Sequence, residues 1–247
     1  METDRTLIVV PTYNERENVR TLIAQLLQIA PDANVLLIDD NSPDGTVEAA
    51  EQLFGAEPRF STLVRTGSRG YGRSLLDGYR FALKKDYDRL VQMDADFSHD
   101  PNVVPVLINA SRDADVVIGS RYCPGGRVVN WSWYRRLLSR FANRYVADIT
   151  GVSARDSTSG FRCYTRRALQ SFLSAEIVSE GYAFLFETVF HAQRKELRIV
   201  EIPITFVDRR AGKSKMSSKV IFESILKPWR LRFAPRRAKA AEAPPRY

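Results

Sequence analysis

The sequence predicts an α/β domain built on a mostly parallel sheet flanked by helices. Three observations carry that prediction. Short apolar runs alternate with helical patterns through the first half of the chain, as in successive βαβ units. Several of these runs end in proline, aspartate or turn-rich residues, at the ends of strands where parallel sheets carry their ligands. The 247 residues, 44% hydrophobic and 11% aromatic, suffice for one large core, which excludes disorder and disulfide-stapled miniproteins.

Taken in order, residues 7–10 (Leu-Ile-Val-Val) read as a buried strand followed by Pro11, which cannot donate to a continuing ladder. Asn14 is expected to cap the first helix, with Glu17 completing a capping box. Val19, Leu22, Ile23, Leu26 and Leu27 then mark one helical face. A second strand, 35–38, runs into Asp39-Asp40-Asn41-Ser42-Pro43-Asp44-Gly45 and a helix to about Phe54. A third strand is expected at 62–64, and the glycine-bearing loop 67–72 opens a helix through Leu75, Tyr79 and Leu83. Residues 90–93 form a fourth strand ending at Asp94-Ala95-Asp96, then a helix at 103–110 and a fifth strand at 116–119. The second half is less regular: a Gly/Pro loop at 124–126, a basic helix from about Trp133 to Tyr145, and a loop around Thr158-Ser159-Gly160. Helices at 166–173 and 183–195 and a strand at 199–206 follow.

The last periodic segment is 216–233, where Val220, Ile221, Phe222, Ile225, Leu226, Trp229 and Phe233 recur among Lys219, Lys227, Arg230 and Arg232. The preferred reading is an interfacial amphipathic helix, ended or kinked by Pro228, with packing on the protein's own sheet as the alternative. Residues 234–247 lack apolar periodicity and are expected to be a disordered basic tail. The expected organisation is therefore one domain over 1–215, the amphipathic segment 216–233, and the tail.

Charge and rare residues narrow the function. Residues 207–247 hold 12 of the 37 Lys+Arg but only 3 of the 29 Asp+Glu, so a nearly neutral body carries a basic end suited to an anionic surface. Two cysteines, Cys123 and Cys163, without a CxxC pair, and two histidines, His99 and His191, leave no zinc cluster and little material for a histidine triad. A reduced, cytoplasmic setting follows. No apolar run approaches the ~18–20 residues that cross a bilayer, and the acidic start lacks the features of a signal peptide.

Asp94 and Asp96 flank a small residue directly after a strand, and i, i+2 spacing turns both carboxylates to one side. Two hard oxygen ligands suit Mg2+ or Mn2+ completed by water and phosphate oxygens, although an isolated Asp-x-Asp also occurs in plain turns. Asp39-Asp40 could accept hydrogen bonds from a nucleobase or ribose, or serve as an Asx turn and helix cap. The loop Gly67 to Ser74 matches neither GxxxxGK[ST] nor GxGxxG, so it reads either as a tight turn or as a ligand contact.

Together these blocks resemble the polyprenyl-phosphate (dolichyl-phosphate) mannose synthases, inverting family 2 glycosyltransferases. The resemblance rests on residues 10–18 (VPTYNEREN), 39–46 (DDNSPDGT), 93–99 (MDADFSH), 118–122 (IGSRY), 158–162 (TSGFR), 181–184 (GYAF) with Glu187, and Arg209 to Lys215. These run in the family's order from residue 7 to about 215, and the QxxRW box of the processive branch is absent. The resemblance implies a single GT-A domain with a mostly parallel, Rossmann-like sheet. It implies a GDP-mannose donor, with Pro11, Tyr13, Glu15, Ile38 and Asp40 lining the guanosine pocket. Asp94, Ala95 and Asp96 would face the diphosphate, the two aspartates holding Mg2+ or Mn2+ with Ser98 assisting weakly or through water. Arg121, Arg135, Ser139, Arg209 and Lys215 match positions that face the phosphates of donor and acceptor; Asp94, Asp96, Arg121, Arg209 and Lys215 would carry the chemistry.

The chemistry fits these residue types. A lipid monophosphate is largely ionised at pH 7, its second pKa being about 6, so no general base is required. What the site must supply is charge stabilisation for the leaving GDP and cations that hold two phosphates together. His99 and His191 are expected to be structural, while Trp131 and Trp133 could meet lipid. The expected protein is a peripheral enzyme of the cytosolic membrane face. It would be held there by the amphipathic segment, the tail, the lipid substrate or small membrane-anchoring subunits. The alternatives are another donor such as UDP-glucose used with undecaprenyl phosphate, and, remotely, a non-enzymatic basic module binding nucleic acid.

Overall fold

The computed structural model describes residues 4–175, 177, 179–208 and 218–233. The apolar runs become β1 (Thr6–Thr12), β2 (Ala33–Asp39), β3 (Phe60–Val64), β4 (Arg89–Gln92) and β5 (Val116–Ser120). Between and after them lie α1 (Arg16–Ile29), α2 (Thr46–Phe54), α3 (Tyr71–Lys84) and, behind a single 3-10 turn, α4 (Val104–Ala110). The second half supplies β6 (Arg127–Val129), α5 (Trp133–Thr150), β7 (Arg162–Thr165), α6 (Arg166–Ser174) and α7 (Gly181–Arg194). The chain continues with β8 (Ile199–Pro203), β9 (Thr205–Val207) and α8 (Ser218–Phe233).

The main sheet has the order β3-β2-β1-β4-β7-β5-β8. β1 pairs in parallel with both β2 and β4, Val9 lying opposite Leu36 and Gln92, so the chain changes direction of travel across the sheet at β1/β4. In such sheets the crevice beyond that point is where ligands bind. Alternate residues of β1 serve opposite faces. Leu7 and Val9 join Tyr79, Tyr164, Phe172 and Phe184 on the α3, α6 and α7 side, while Ile8 and Val10 pack with Leu22, Leu37, Val91 and Val117 beneath α1 and α4. Burial on both faces explains why the strands read as unbroken apolar runs.

Three expectations change. The helix start expected at Asn14 moves to Arg16, because Asn14 takes the left-handed conformation (φ 56°), unlike the extended geometry of an N-cap, and its N–H donates to Ser42 Oγ (2.9 Å). The strand expected over 199–206 divides at Ile204: β8 extends the main sheet beside β5, and β9 pairs with β6 in a separate two-stranded sheet. β7, antiparallel between β4 and β5, lies between the loop expected around 158–160 and the helix expected from 166, where no strand is expected; its four residues include a buried arginine rather than an apolar run.

α8 packs mainly on α5 and α7. Leu231 is buried, Lys227 Nζ lies 2.8 Å from Glu187 Oε1, and Trp229 Nε1 donates to the Tyr145 hydroxyl (2.9 Å), which donates to the Ile225 carbonyl (2.9 Å). The helix leaves Ile225, Trp229 and Phe233 exposed. Met216 and the tail 234–247 lie outside the described residues. Among the described residues no helix is long and apolar enough to cross a membrane.

Candidate active site

A cleft of about 560 Å3 opens beyond the carboxyl ends of β1, β2 and β4. Pro11, Tyr13, Glu15, Asp40, Asp94, Ala95, Asp96, Ser98, Arg121 and Arg135 all line it, so the structure gathers ten of the expected residues. Ile38 does not line it: its side chain is wholly buried in the core, against α3, where a Cβ at Gly78 would lie 2.9 Å from Ile38 Cδ1. Ser139 stands back from the wall and accepts or shares a hydrogen bond from the Tyr122 hydroxyl (2.7 Å). Arg209 and Lys215 lie outside the described residues.

The acidic floor is placed largely by short-range contacts. Asp96 is buried and its Oδ1 accepts the Ser98 N–H (3.0 Å). The Asp94 N–H donates to His99 Nδ1 (3.2 Å), and Asp94 Oδ1 accepts from the Tyr71 hydroxyl (3.1 Å). Burial lowers the His99 pKa below its usual 6.5, outweighing the pull of Asp94 and Asp96. A neutral imidazole stacked on Phe161 (4.9 Å between rings) is thus the structural acceptor expected of it. Of the neighbouring pair, Asp39 is spent on an Asx turn with the Ser42 N–H (2.6 Å) and on Thr12 Oγ1 (2.9 Å), leaving Asp40 to face the cleft.

The glycine-bearing loop uses its N–H groups internally. Gly70 N–H (2.9 Å) and Ser74 Oγ (3.1 Å) donate to Asp40, as does Arg65, which also donates to Asp77 (2.7 Å). Gly72 N–H donates to Glu180 (2.8 Å). The Gly70 and Gly72 amides thus meet protein carboxylates, while Arg69, Gly70, Tyr71 and Ser74 line the cleft, so the loop is a tight turn that also forms part of the cleft wall. Arg69 instead reaches across the cleft mouth, 4.1 Å above the Tyr13 ring.

The basic wall is assembled from residues far apart in sequence. Arg121 is buried, with Nε (2.7 Å) and Nη2 (2.6 Å) on the carboxylate of Asp156 and Nη2 also on Thr158 (2.8 Å). Burial alone would lower its pKa, but the Asp156 charge and hydrogen bonds reverse the sign, and the same pairing holds Asp156 below its usual 3.8. Arg135 lies 4.0 Å above the Trp131 ring and 2.9 Å from Asp208. Trp131 is buried, whereas Trp133 projects outward, so only the second remains positioned to meet lipid. Arg162, fully buried, donates to the carbonyls of Ser157 (2.7 Å), Ser159 (2.7 Å) and Leu185 (2.8 Å), fastening the loop that presents Asp156 and Thr158. Sequence reading missed Asp156, Arg65 and Glu180 and offered Trp131 only for lipid; for Arg162 the signal was the block 158–162, read only as a motif.

With the site described, its relatives can be placed. Residues 7–173 match the model of glycosyl transferase family 2. The chain is 41% identical over 227 residues to the polyprenol monophosphomannose synthase of Mycolicibacterium smegmatis, covering 91% of this chain and 86% of that one. It is 40% identical over 222 residues to the undecaprenyl-phosphate mannosyltransferase of Micrococcus luteus (90% and 91% covered), and 35% identical to the dolichol-phosphate mannosyltransferase of Pyrococcus furiosus (91% and 62% covered). Among solved structures, glucosyl-3-phosphoglycerate synthase from Mycobacterium tuberculosis, crystallised with Mn2+, UDP and phosphoglyceric acid, superposes with a TM-score of 0.69 at 16% identity (92% and 78% covered). That likeness shows the GT-A fold. The chain belongs to glycosyl transferase family 2, and the two relatives above at 41 and 40% identity are a polyprenol monophosphomannose synthase and an undecaprenyl-phosphate mannosyltransferase.

Proposed function

We propose that this chain transfers mannose from GDP-mannose to a polyprenyl monophosphate with inversion, giving a β-linked polyprenyl mannosyl phosphate and GDP. The observation that carries the reading is the meeting, in one cleft, of a carboxylate floor at the end of β4 and a guanidinium wall from β5 and α5. The names of the related mannosyltransferases support the sugar and the lipid acceptor. Pro11, Tyr13, Glu15 and Asp40 take the nucleoside, and Ala95 lets the diphosphate approach the main chain between the two aspartates.

Asp94, Asp96 and Ser98 fit a hard divalent cation: all three offer oxygen, and Ser98 Oγ is buried without a hydrogen-bond partner among the described residues. Mg2+ or Mn2+ bound there supplies charge stabilisation to the departing GDP. Arg121 has Nε and Nη2 committed to Asp156 and Thr158, which leaves Nη1 for a phosphate oxygen; Arg135 offers a second guanidinium from the α5 side, and Arg209 and Lys215 are the further phosphate contacts of this reading. The acceptor phosphate enters already ionised, so the protein orients it toward C1 without removing a proton.

α5 links the cleft to a surface suited to lipid. Trp133, Tyr134, Leu137, Leu138 and Phe141 flank Arg135 along this helix and are 62 to 71% exposed, and Ile225, Trp229 and Phe233 of α8 continue the apolar face. Exposed Arg136, Arg140 and Arg144 border it. The reading is therefore a catalytic domain, 1–215, lying on the cytosolic face of a membrane through α5 and the 216–233 segment, with the basic tail attracted to anionic lipid.

The test compares donors in thermal melts with Mn2+. GDP-mannose at about 100 times its Kd is expected to stabilise by about 2.7 kcal/mol, a rise of roughly 5–10 °C, with little effect of UDP-glucose. Stabilisation by UDP-glucose alone would replace the donor. Sedimentation with phosphatidylglycerol vesicles, weakened in Trp133→Ser/Trp229→Ser, tests the surface; unchanged sedimentation would leave anchoring to the tail or to a membrane subunit.

A further inference from the structure

We propose that Tyr71 is a positioning residue for Asp94: from the first residue of α3, its hydroxyl fixes the orientation of the carboxylate that meets the divalent cation. The inference rests on the reading of Asp94 and Asp96 as cation ligands given above.

Three features converge on that hydroxyl. It donates to Asp94 Oδ1 at 3.1 Å, inside the cleft. Room for it is kept by Gly160, where a Cβ would lie 2.7 Å from the Tyr71 oxygen but 3.5 Å from the closest Asp94 oxygen. The main chain one residue earlier is tied down as well, Gly70 N–H donating to Asp40.

Packing alone does not account for this arrangement. The ring contributes to the core on the α3 side, a task phenylalanine would perform, whereas the hydroxyl is what Gly160 accommodates and what reaches the carboxylate. Asp94 is thereby held from two directions, its side chain by Tyr71 and its N–H by His99. A ligand carboxylate oriented by an outer hydrogen bond binds its cation without first giving up rotamer freedom, and losing such a partner typically costs 10–100-fold in metal affinity. The same loop carries the contacts to Asp40, so the nucleoside end and the cation end of the cleft share one support.

The experiment is a calorimetric titration of Mn2+ into the full chain with GDP present, on wild type, Tyr71→Phe, Gly160→Ala and the double variant, with melting temperatures recorded. Tyr71→Phe is expected to weaken Mn2+ binding by about tenfold, with GDP affinity in chelator and melting temperature unchanged. Gly160→Ala is expected to weaken Mn2+ as well, by displacing the hydroxyl, and the double variant to be no worse than either, because the added methyl then meets no oxygen. Equal Mn2+ affinity in wild type and Tyr71→Phe, or additive losses in the double variant, would overturn the proposal while leaving the cation site standing. Absence of Mn2+ binding in the wild type would overturn the cation reading and this inference together. Should Tyr71→Phe fail to fold, Gly160→Ala decides by the same measure.

Discussion

The two ends of the cleft are built by different means. At the strand end, Asp94 and Asp96 follow β4 directly, and each is held in part by a residue two to five positions along the chain: Ser98 for Asp96, His99 for Asp94. At the helix end, Arg121 is held by Asp156, 35 residues away, and Arg135 by Asp208, 73 residues away. The cations also differ from one another: the Arg121 side chain is 4% exposed against 39% for Arg135. Acidic groups placed by local chain geometry change chemistry without changing the fold, whereas a buried cation placed by a distant partner serves both.

The largest effect expected from that contrast is on turnover. Asp96→Asn should lower activity by about 10²–10³-fold, the scale of losing a preorganised charge contact, with the melting temperature nearly unchanged. A cooperative loss of stability in this variant would mean that the strand end is also structural. Next comes Asp156→Asn, which leaves buried Arg121 without its counter-charge. Breaking such a pair costs about 3–5 kcal/mol, a fall of roughly 10 °C in a melt, and activity falls with it. Arg135→Ala sharpens the comparison from the other side. Half-exposed and paired at the surface, Arg135 should cost less than about 0.5 kcal/mol in stability while raising the KM for the lipid acceptor by about tenfold. A KM effect on the donor alone would move Arg135 to the other phosphate.

The smallest effect concerns the junction of α7 and α8. Glu187 is buried, which by itself raises its pKa, but the neighbouring His191 (3.7 Å) and the Lys227 ammonium (2.8 Å) bring it below its usual 4.5. A carboxylate depressed in the folded state contributes stability that is complete above its unfolded value and is lost as the pH falls through the folded one. The melting temperature should therefore drop on acidification below about pH 4.5, and Glu187→Gln should flatten that part of the profile. An unchanged acid limb in the variant would remove Glu187 as the anchor of α8.

The same contrast decides what was legible in the sequence. β1, β2 and β5 announce themselves because both faces of the sheet are covered there, so each strand is an apolar run. Asp94 and Asp96 were legible because their placement needs only a strand end and a two-residue period. β7 was not, since its core-facing Arg162 is satisfied by the Ser157 and Ser159 carbonyls of the loop just before it and by that of Leu185 on α7, which no apolar pattern announces. Nor was the commitment of the Gly70 and Gly72 amides to carboxylates at positions 40 and 180. Ile38 was assigned to the pocket by resemblance, but the alternation of β2 turns its side chain into the core. Asn14 carried the composition of a helix cap while the chain used its tolerance of positive φ for a turn.

The most direct measurement is transfer of labelled mannose from GDP-mannose into an organic-extractable lipid, with polyprenyl phosphate and Mg2+ or Mn2+, in the wild type and in Asp96→Ala. Labelled lipid that forms in the wild type, disappears with chelator and is absent from the folded variant is the result expected. Transfer that persists in Asp96→Ala or in chelator would contradict the role given to the strand end of the cleft, and no transfer from GDP-mannose to any polyprenyl phosphate would contradict the reaction itself.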